Sequence, residues 1–189
     1  GQQQFNYDGL LIDRQMHGGI FGQFANYWPV NLFVMRRPET YEDRLTRGGP
    51  TVRRRGSTTW VAFLGTDARK PISFSTNPSY GYSEAGTSGY GYDLSINYKP
   101  AENVQLSFGP SYSVSGNPYQ FVTAGADSTA ASFFGTRYVF AELRQTQLSM
   151  NTRVNVTFTP RLTFEAFMQP LIASGDYREF REFVQPMQS

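Results

Sequence analysis

Side chains with catalytic or metal-binding chemistry are few and scattered in this 189-residue sequence. The only histidine is His17, which precedes Gly18 and Gly19, and there is no cysteine to act as a nucleophile or a thiolate ligand. The zinc motif HExxH and the nucleophile elbow GxSxG, which place reactive groups at fixed positions, are absent from the sequence. We interpret His17 as a turn residue, and we expect no catalysis and no metal or cofactor site.

A different chemistry, the binding of oxyanions, is indicated by a basic segment within residues 36–55. Arginine can bind phosphate or carboxylate oxygens through two parallel hydrogen bonds, which would suit lipopolysaccharide phosphates or an anionic glycan. Because Glu39, Glu42 and Asp43 interleave with the arginines, we prefer the alternative of a solvated loop held by internal salt bridges. The arginines of this external basic loop are Arg44, Arg47, Arg53, Arg54 and Arg55.

The elements that must position these residues are β-strands, because apolar and polar residues alternate along much of the chain. Successive side chains of a strand point to opposite faces, so alternation predicts a sheet with one apolar and one polar face. Segments of about 11 residues keep this period, which is the length that a tilted strand needs to cross a bilayer. Their apolar parity begins at Ile72, Tyr90, Val104, Leu148 and Leu162.

The polar parity of these segments is mostly Ser, Asn, Gln, Thr and Gly, which fits a wet lumen better than the charged solvent face of a soluble sheet. Tyrosines gather near the segment ends, as amphipathic rings do at a membrane interface. They are Tyr80, Tyr82, Tyr90, Tyr92, Tyr98 and Tyr112. The predicted fold is all-β: an antiparallel transmembrane β-barrel, or part of one, with about eight to ten strands in this segment.

The connections between the predicted strands alternate between short and long. Barrels of this type have short periplasmic turns and longer external loops, so we place the two sets at opposite ends. The predicted turns are 67–71, 100–103 and 160–161, and the predicted external excursions are 37–56, 115–137 and 174 onwards. Residues 3–12 and 17–35 predict about three further strands, with a turn near residues 26–29.

Charged side chains on the polar parity are candidates for a site in the lumen. Arg153 and Glu165 lie on strands joined by the turn at Pro160, and the alternation places them as diagonal cross-strand neighbours. We predict an ion pair between them, which Asp93 joins through a water. Our preferred role for this pair is to satisfy polar groups inside a narrow barrel, and the alternative is a charged constriction that selects solutes.

Aromatic residues in the predicted external part have two open interpretations. They could stack on sugar rings, or they could close the mouth of the barrel by packing loops together. The residues concerned are Tyr119, Phe121 and Tyr177, together with Phe133, Phe134, Tyr138, Phe180 and Phe183.

Several blocks of sequence occur in an order typical of one protein family. They read DRLTRGGP at 43–50, DARKP at 67–71, LSFGPSY at 106–112, RYVFAEL at 137–143, NTRVNVTFTP at 151–160, QP at 169–170 and SGDY at 174–177. Together they resemble the C-terminal β-barrel region of the DUF5916 family of bacterial outer-membrane proteins. The resemblance implies an outer-membrane location and a longer parent protein, in which a domain similar to family 9 carbohydrate-binding modules precedes the barrel.

That N-terminal domain is missing from this sequence, which also ends at Gln188 and Ser189 without the terminal aromatic that barrel assembly commonly uses. We therefore expect residues 1–189 to be a single barrel region and a fragment of a longer protein. We expect its partners to be outer-membrane lipid, lipopolysaccharide or a glycan, and the missing domain or other membrane subunits. The net charge of only +2 gives no reason to expect nucleic acid.

The predicted function is an outer-membrane barrel that acts as a membrane anchor or as a passage for an unidentified ligand, for which a glycan is one candidate. One alternative is a soluble all-β carbohydrate-binding module whose tyrosines form the binding face. The other is a structural subunit of a surface assembly.

Overall fold

The structure, a computed structural model, describes residues 1–133 and 135–182. As the alternation predicts, the chain forms antiparallel strands almost throughout, with one 3-10 turn at Ala131–Phe133. The strands are β1 (Gln2–Phe5), β2 (Leu11–Gln23), β3 (Pro29–Arg37), β4 (Thr40–Glu42), β5 (Val52–Arg54), β6 (Ser57–Gly65), β7 (Ile72–Thr76), β8 (Ser79–Ser83), β9 (Ser88–Ala101), β10 (Val104–Ala126), β11 (Thr136–Thr159), β12 (Leu162–Met168) and β13 (Leu171–Glu182). Within the described ranges, no helix has the length and hydropathy to cross a membrane.

Eleven of these strands form one sheet, and the remaining two, β4 and β5, form a separate ribbon. Along the sheet the order is β1-β2-β3-β6-β7-β9-β10-β11-β12, which follows the chain. β8 continues β7 beyond Pro78, and β13 continues β12 beyond Pro170, because proline has no N–H to give to the ladder. Both proline carbonyls still accept from the neighbouring strand, at 2.9 Å from Ala62 N and 3.1 Å from Met150 N.

The register of the ladders keeps the two parities of the sequence on two separate faces. On one face Ile96 lies opposite both Phe74 and Phe108. On the other face Ser107 lies opposite both Asn97 and Arg153. The predicted apolar and polar faces therefore continue from strand to strand across β7, β9, β10 and β11.

The apolar face is exposed rather than packed against a second layer. Large side chains on it retain much of their accessible surface, including Ile72 at 49% and Leu148 at 50%. Among the described residues, the buried hydrophobic side chains are only Val52, Val114, Phe133, Phe140 and Ala141. The sheet thus lacks the apolar interior that a soluble domain of this length would build.

The two ends of the sheet differ, and here the structure corrects the expected loops. The turns after β6, β9 and β11 lie at one end, as predicted, and the turn after β2 lies there too, but the excursions at 115–137 and 174 onwards are largely strand. β10 and β11 run for 23 and 24 residues and stay paired up to Ala126 and Thr136. Their backbone hydrogen bonds continue after the apolar alternation ends, since a ladder needs no apolar face.

Within residues 1–133 and 135–182, β1 pairs only with β2, while β12 and β13 pair only with β11. The described sheet therefore has two edges.

Candidate functional site

The polar face carries two hollows, and the first lies over β6, β8, β9 and β10. Its volume is about 330 Å³, and its walls are mostly small residues, together with Tyr82, Tyr90 and Val114. Glycine allows the strands to approach closely here, because an added Cβ would lie 2.8 Å from the Val114 carbonyl oxygen at Gly89 and 2.8 Å from Ser79 Oγ at Gly91. The lining on the polar parity includes Ser57, Thr59, Ser79, Gly81, Ser83, Gly89, Gly91, Ser113 and Ser115.

A second hollow of about 430 Å³ lies over β9, β10 and β11. It brings together two of the predicted lumenal residues, Asp93 and Arg153, although they are 60 positions apart in the numbering. Ser107 Oγ, which also lines the hollow, donates a hydrogen bond of 2.8 Å to Asn97 Oδ1. This side of the sheet can therefore offer hydroxyl, amide and charged groups to a polar solute.

The third predicted lumenal residue, Glu165, takes the expected register but not the expected contact. Arg153 lies opposite Phe167 and Glu165 lies opposite Asn155, so Arg153 and Glu165 are diagonal neighbours. The Arg153 guanidinium lies 5.6 Å from the centre of the Phe167 ring, and the salt bridges found in the described ranges do not include Arg153 with Glu165. A directly opposite residue is nearer than a diagonal one, which favours the ring.

The loop between β3 and β6, residues 38–56, is ordered by the β4–β5 ribbon and will be called the covering segment. Glu39 pairs with both Arg53 and Arg55, and Glu42 pairs with Arg54 at 3.5 Å. Arg47 and Gly48 turn the chain with φ of 54° and 100°. These pairs agree with our preferred interpretation of the basic loop, in which internal salt bridges compensate the arginines.

The covering segment reaches across the polar face at the end of the sheet opposite the turns after β6, β9 and β11. Arg47 lies 4.6 Å above the ring of Phe121 on β10. Gly49 lies against Tyr138 on β11, where an added Cβ would overlap the phenol ring. Since β8 and β9 lie between β6 and β10 in the sheet, the segment spans their ends.

Beneath the covering segment is a chamber of about 390 Å³. Its charged and aromatic lining consists of Glu42, Arg54, Arg55 and Tyr119. Ser57, Ser83 and Gly116 line both this chamber and the first hollow, so the two spaces adjoin. Burial raises the pKa of Tyr119, as expected for a phenol covered by a loop.

Some of the aromatics that were predicted to be external pack together, and others are exposed. Phe121 packs edge-on against Phe140 with 5.8 Å between ring centres, and Phe133 packs against Tyr138 at 6.3 Å. These rings hold the β10–β11 extension together, whereas Tyr177 on β13 is 49% exposed. Phe134 and Phe183 lie outside the described residues.

Ion pairs fix the connections at both ends of the sheet. In the β8–β9 turn, the Arg36 guanidinium holds the pKa of Glu84 below its usual value, and Gly56 N–H donates to Glu84 Oε2 at 3.1 Å. In the β6–β7 turn, hydrogen bonds from Arg69 lower the pKa of Asp67 to about 2. The Arg69 guanidinium also lies 3.6 Å from the centre of the Tyr27 ring, which ties this turn to the β2–β3 turn.

His17 was wrongly predicted to lie in a turn. It is in the middle of β2, and its ring stacks on Phe33 with 5.8 Å between centres. The two glycines that follow indicated a turn, but Gly19 instead allows close approach to the Leu32 carbonyl oxygen, 2.9 Å from an added Cβ. Phe33 is an apolar residue on the polar parity, and nothing in the sequence indicated that it would contact His17.

No protein-family model, curated protein or solved structure matches this chain, so the resemblance to the DUF5916 family stays a prediction.

Proposed function

We propose that this chain forms part of the wall of an outer-membrane β-barrel. This barrel anchors the protein and lines a passage for polar solutes. The observation that carries the proposal is the exposure of the apolar face along the whole sheet. Burying such a face in lipid removes its apolar area from water, at roughly 25 cal/mol per Å². An outer-membrane location follows from the same proposal, because barrels with this alternation occur there.

The dimensions of the apolar face support a membrane as its partner. On β11 the face runs from Leu148 to Phe158, about 33 Å along the strand and about 25 Å along the membrane normal at the roughly 40° tilt of barrel strands. An apolar band about 25 Å tall, flanked by aromatic girdles, is typical of transmembrane barrels. On β3 and β11, charge appears on this parity only beyond the band, at Arg36, Glu142 and Arg144.

The alternative of a soluble carbohydrate-binding module accounts less well for the exposed face. A β-sandwich packs its apolar faces against each other. Here Leu94, in the middle of the sheet, is 39% exposed, and Phe74, diagonal to it on β7, is 46% exposed. A glycan ligand is supported only by the resemblance, so the passage is proposed for polar solutes in general.

Fractionation of cells that make the full-length protein tests the proposal. We expect recovery in the outer membrane, extraction only with detergent, and a gel band that shifts when the sample is boiled, because folded barrels resist detergent. Recovery as a soluble monomer without detergent would contradict it. Binding of that soluble form to a glycan array would then favour the carbohydrate-binding alternative, and a large detergent-free oligomer would favour the surface assembly.

A further inference from the structure

The covering segment is held in place by contacts with strands on both sides of the sheet. It leaves the sheet at β3 and returns at β6, and between these points it contacts β10 through Arg47 and β11 through Gly49. On its other side, Asn6 Nδ2 donates to Asp43 Oδ2 at 3.4 Å, and β4 lies beside β2. A solute that enters along the polar face from the external end must therefore pass beneath this segment.

We infer that the chamber beneath the covering segment is the selective constriction of the passage, and that it takes small hydroxylated anions. This inference rests on the proposed function. The chamber of about 390 Å³ lies near the lower end of the roughly 300–1,000 Å³ range of small-molecule sites. It therefore limits a solute to about the size of one or two sugar rings.

The charge of the lining sets the preference for anions. Arg54 and Arg55 line the chamber with one carboxylate, that of Glu42. Glu39, which does not line it, pairs with Arg55 at 3.5 Å and is shared with Arg53. The Arg54–Glu42 contact is long, at 3.5 Å, and both side chains keep accessible surface, 48% for Arg54 and 26% for Glu42. A guanidinium in this position can bind the carboxylate or phosphate oxygens of a solute.

The remaining lining recognises hydroxyl groups. Ser57, Ser83 and Asn117 supply hydroxyl and amide groups, and the Tyr119 ring supplies a flat apolar surface. Together with the arginines, this set fits a polyol that carries one anionic group. An uncharged polyol would lose the arginine contacts.

The position of the covering segment can be tested by thiol crosslinking, since the chain has no native cysteine. Gly49 lies against the hydroxyl end of the Tyr138 ring, so two cysteines at these positions are separated by the length of the replaced ring and not by a disulfide bond length. Gly49→Cys combined with Tyr138→Cys should therefore be joined by a short bis-maleimide in intact outer membranes. Gly18→Cys combined with Tyr138→Cys is the control, because an added Cβ at Gly18 meets nothing within 4 Å. Failure of the first pair to crosslink in a correctly folded, heat-modifiable protein would overturn the inference and leave the proposed barrel intact.

Selectivity is tested with the full-length protein in planar bilayers under a potassium chloride gradient. Arg54→Gln with Arg55→Gln should lower the chloride-to-potassium permeability ratio about fivefold, the Boltzmann weight of unit charges about 4 Å apart in water. Glu42→Gln should raise the ratio. Opposite shifts exclude simple detachment of the covering segment, because detachment would shift the permeability ratio of both variants in the same direction. The control is Lys99→Gln with Arg161→Gln at the far end of the sheet, which should leave the permeability ratio unchanged.

The ligand class is tested in the same bilayers. Millimolar gluconate should reduce the chloride current of the wild type but not of the double arginine variant, and sorbitol should reduce neither current. If the wild type inserts but does not conduct, replacing residues 39–55 with a short glycine linker should open it. Unchanged selectivity, equal block by sorbitol, or silence after this replacement would overturn the inference, while outer-membrane recovery would still support the proposed function.

Discussion

The two faces of β9 differ in polarity, and their arrangement differs from that of a soluble protein. Leu94 belongs to a broad apolar face that is left exposed, whereas its neighbour Ser95 lines a hollow with Asp93 and Arg153. A soluble domain places its apolar face inside and its polar face outside. In this sheet the apolar face is exposed instead, and the proposed membrane location depends on that observation.

The separation of the faces weakens towards the edges of the sheet. On the polar parity, β2, β3 and β6 carry Phe21, Phe33 and Phe63, and β12 carries Phe167. The hydroxyl-rich lining is thus confined to the middle of the sheet, where both hollows lie. The comparison between the faces is therefore tested best on β9 and β10.

Placing a charge on each face of β9 should give the largest difference. Leu94→Arg should destabilise the folded protein in membranes by about 2–4 kcal/mol, the cost of arginine at the lipid face near the bilayer midplane. Ser95→Arg should cost much less, because this position faces the polar hollow. The measurement is the free energy of unfolding in lipid vesicles by urea titration, and equal losses for both variants would remove the distinction between the faces.

The next largest loss of folding free energy should come from filling the space where two strands approach closely on the polar face. Gly89→Ala should destabilise by about 1–3 kcal/mol, because its Cβ would lie 2.8 Å from the Val114 carbonyl oxygen and the strands would have to separate. The matched control is Gly125→Ala, where an added Cβ meets nothing within 4 Å. That control should be neutral or stabilise by about 0.4–1 kcal/mol in the same urea titration. A neutral Gly89→Ala would show that the strands are not held this closely.

Much of this fold could be predicted from the alternation alone. The pairing of Ile96 with Phe74 and Phe108 follows from parity, and so do the turns after β6, β9 and β11. The interruptions at Pro78 and Pro170 and the length of β10 could not be predicted in the same way. The extension beyond Val114 is held by backbone hydrogen bonds and by packing of Phe121 on Phe140, which leave no regular period in the sequence.

The contact between Arg153 and Phe167 should contribute a smaller amount. A double-mutant cycle with Arg153→Gln and Phe167→Leu should give a coupling energy of about 0.5–1 kcal/mol, the range of exposed cation–π pairs. The matched cycle with Arg153→Gln and Glu165→Gln should give a lower value, because Glu165 is diagonal to Arg153 and the two form no salt bridge among those described. A larger coupling to Glu165 would restore the ion pair predicted from the sequence.

The smallest expected effect is a pH dependence at the turn end of the sheet. The pKa of Asp67 is lowered to about 2 by Arg69, so this carboxylate stabilises the fold fully above its ordinary pKa of 3.8 and loses that effect as the pH falls through about 2. Arg69→Gln should raise the pKa of Asp67 towards 3.8. A carboxylate NMR titration of both proteins measures this shift, and an unchanged pKa would contradict the assigned partner.

The candidate site was less predictable than the sheet. Parity placed Asp93, Arg153 and Glu165 on one face, but the choice between Glu165 and Phe167 as a partner depends on distances that a sequence does not contain. The arginines of residues 44–55 were visible as a basic segment with interleaved acids. Their position over β8 and β9 depends on the contact between Gly49 and Tyr138. These two residues are 89 positions apart in the numbering, so the alternation gives no indication of their contact.

A cysteine scan along β9 tests the central claim most directly. Single cysteines at residues 90–98, in a chain with none of its own, would carry spin labels in the folded protein reconstituted in lipid vesicles. We predict a two-residue period, in which even positions collide with oxygen dissolved in lipid and odd positions collide with a water-soluble nickel chelate. Equal access of the nickel chelate to both parities would contradict the claim that the apolar face of this sheet lies against a membrane.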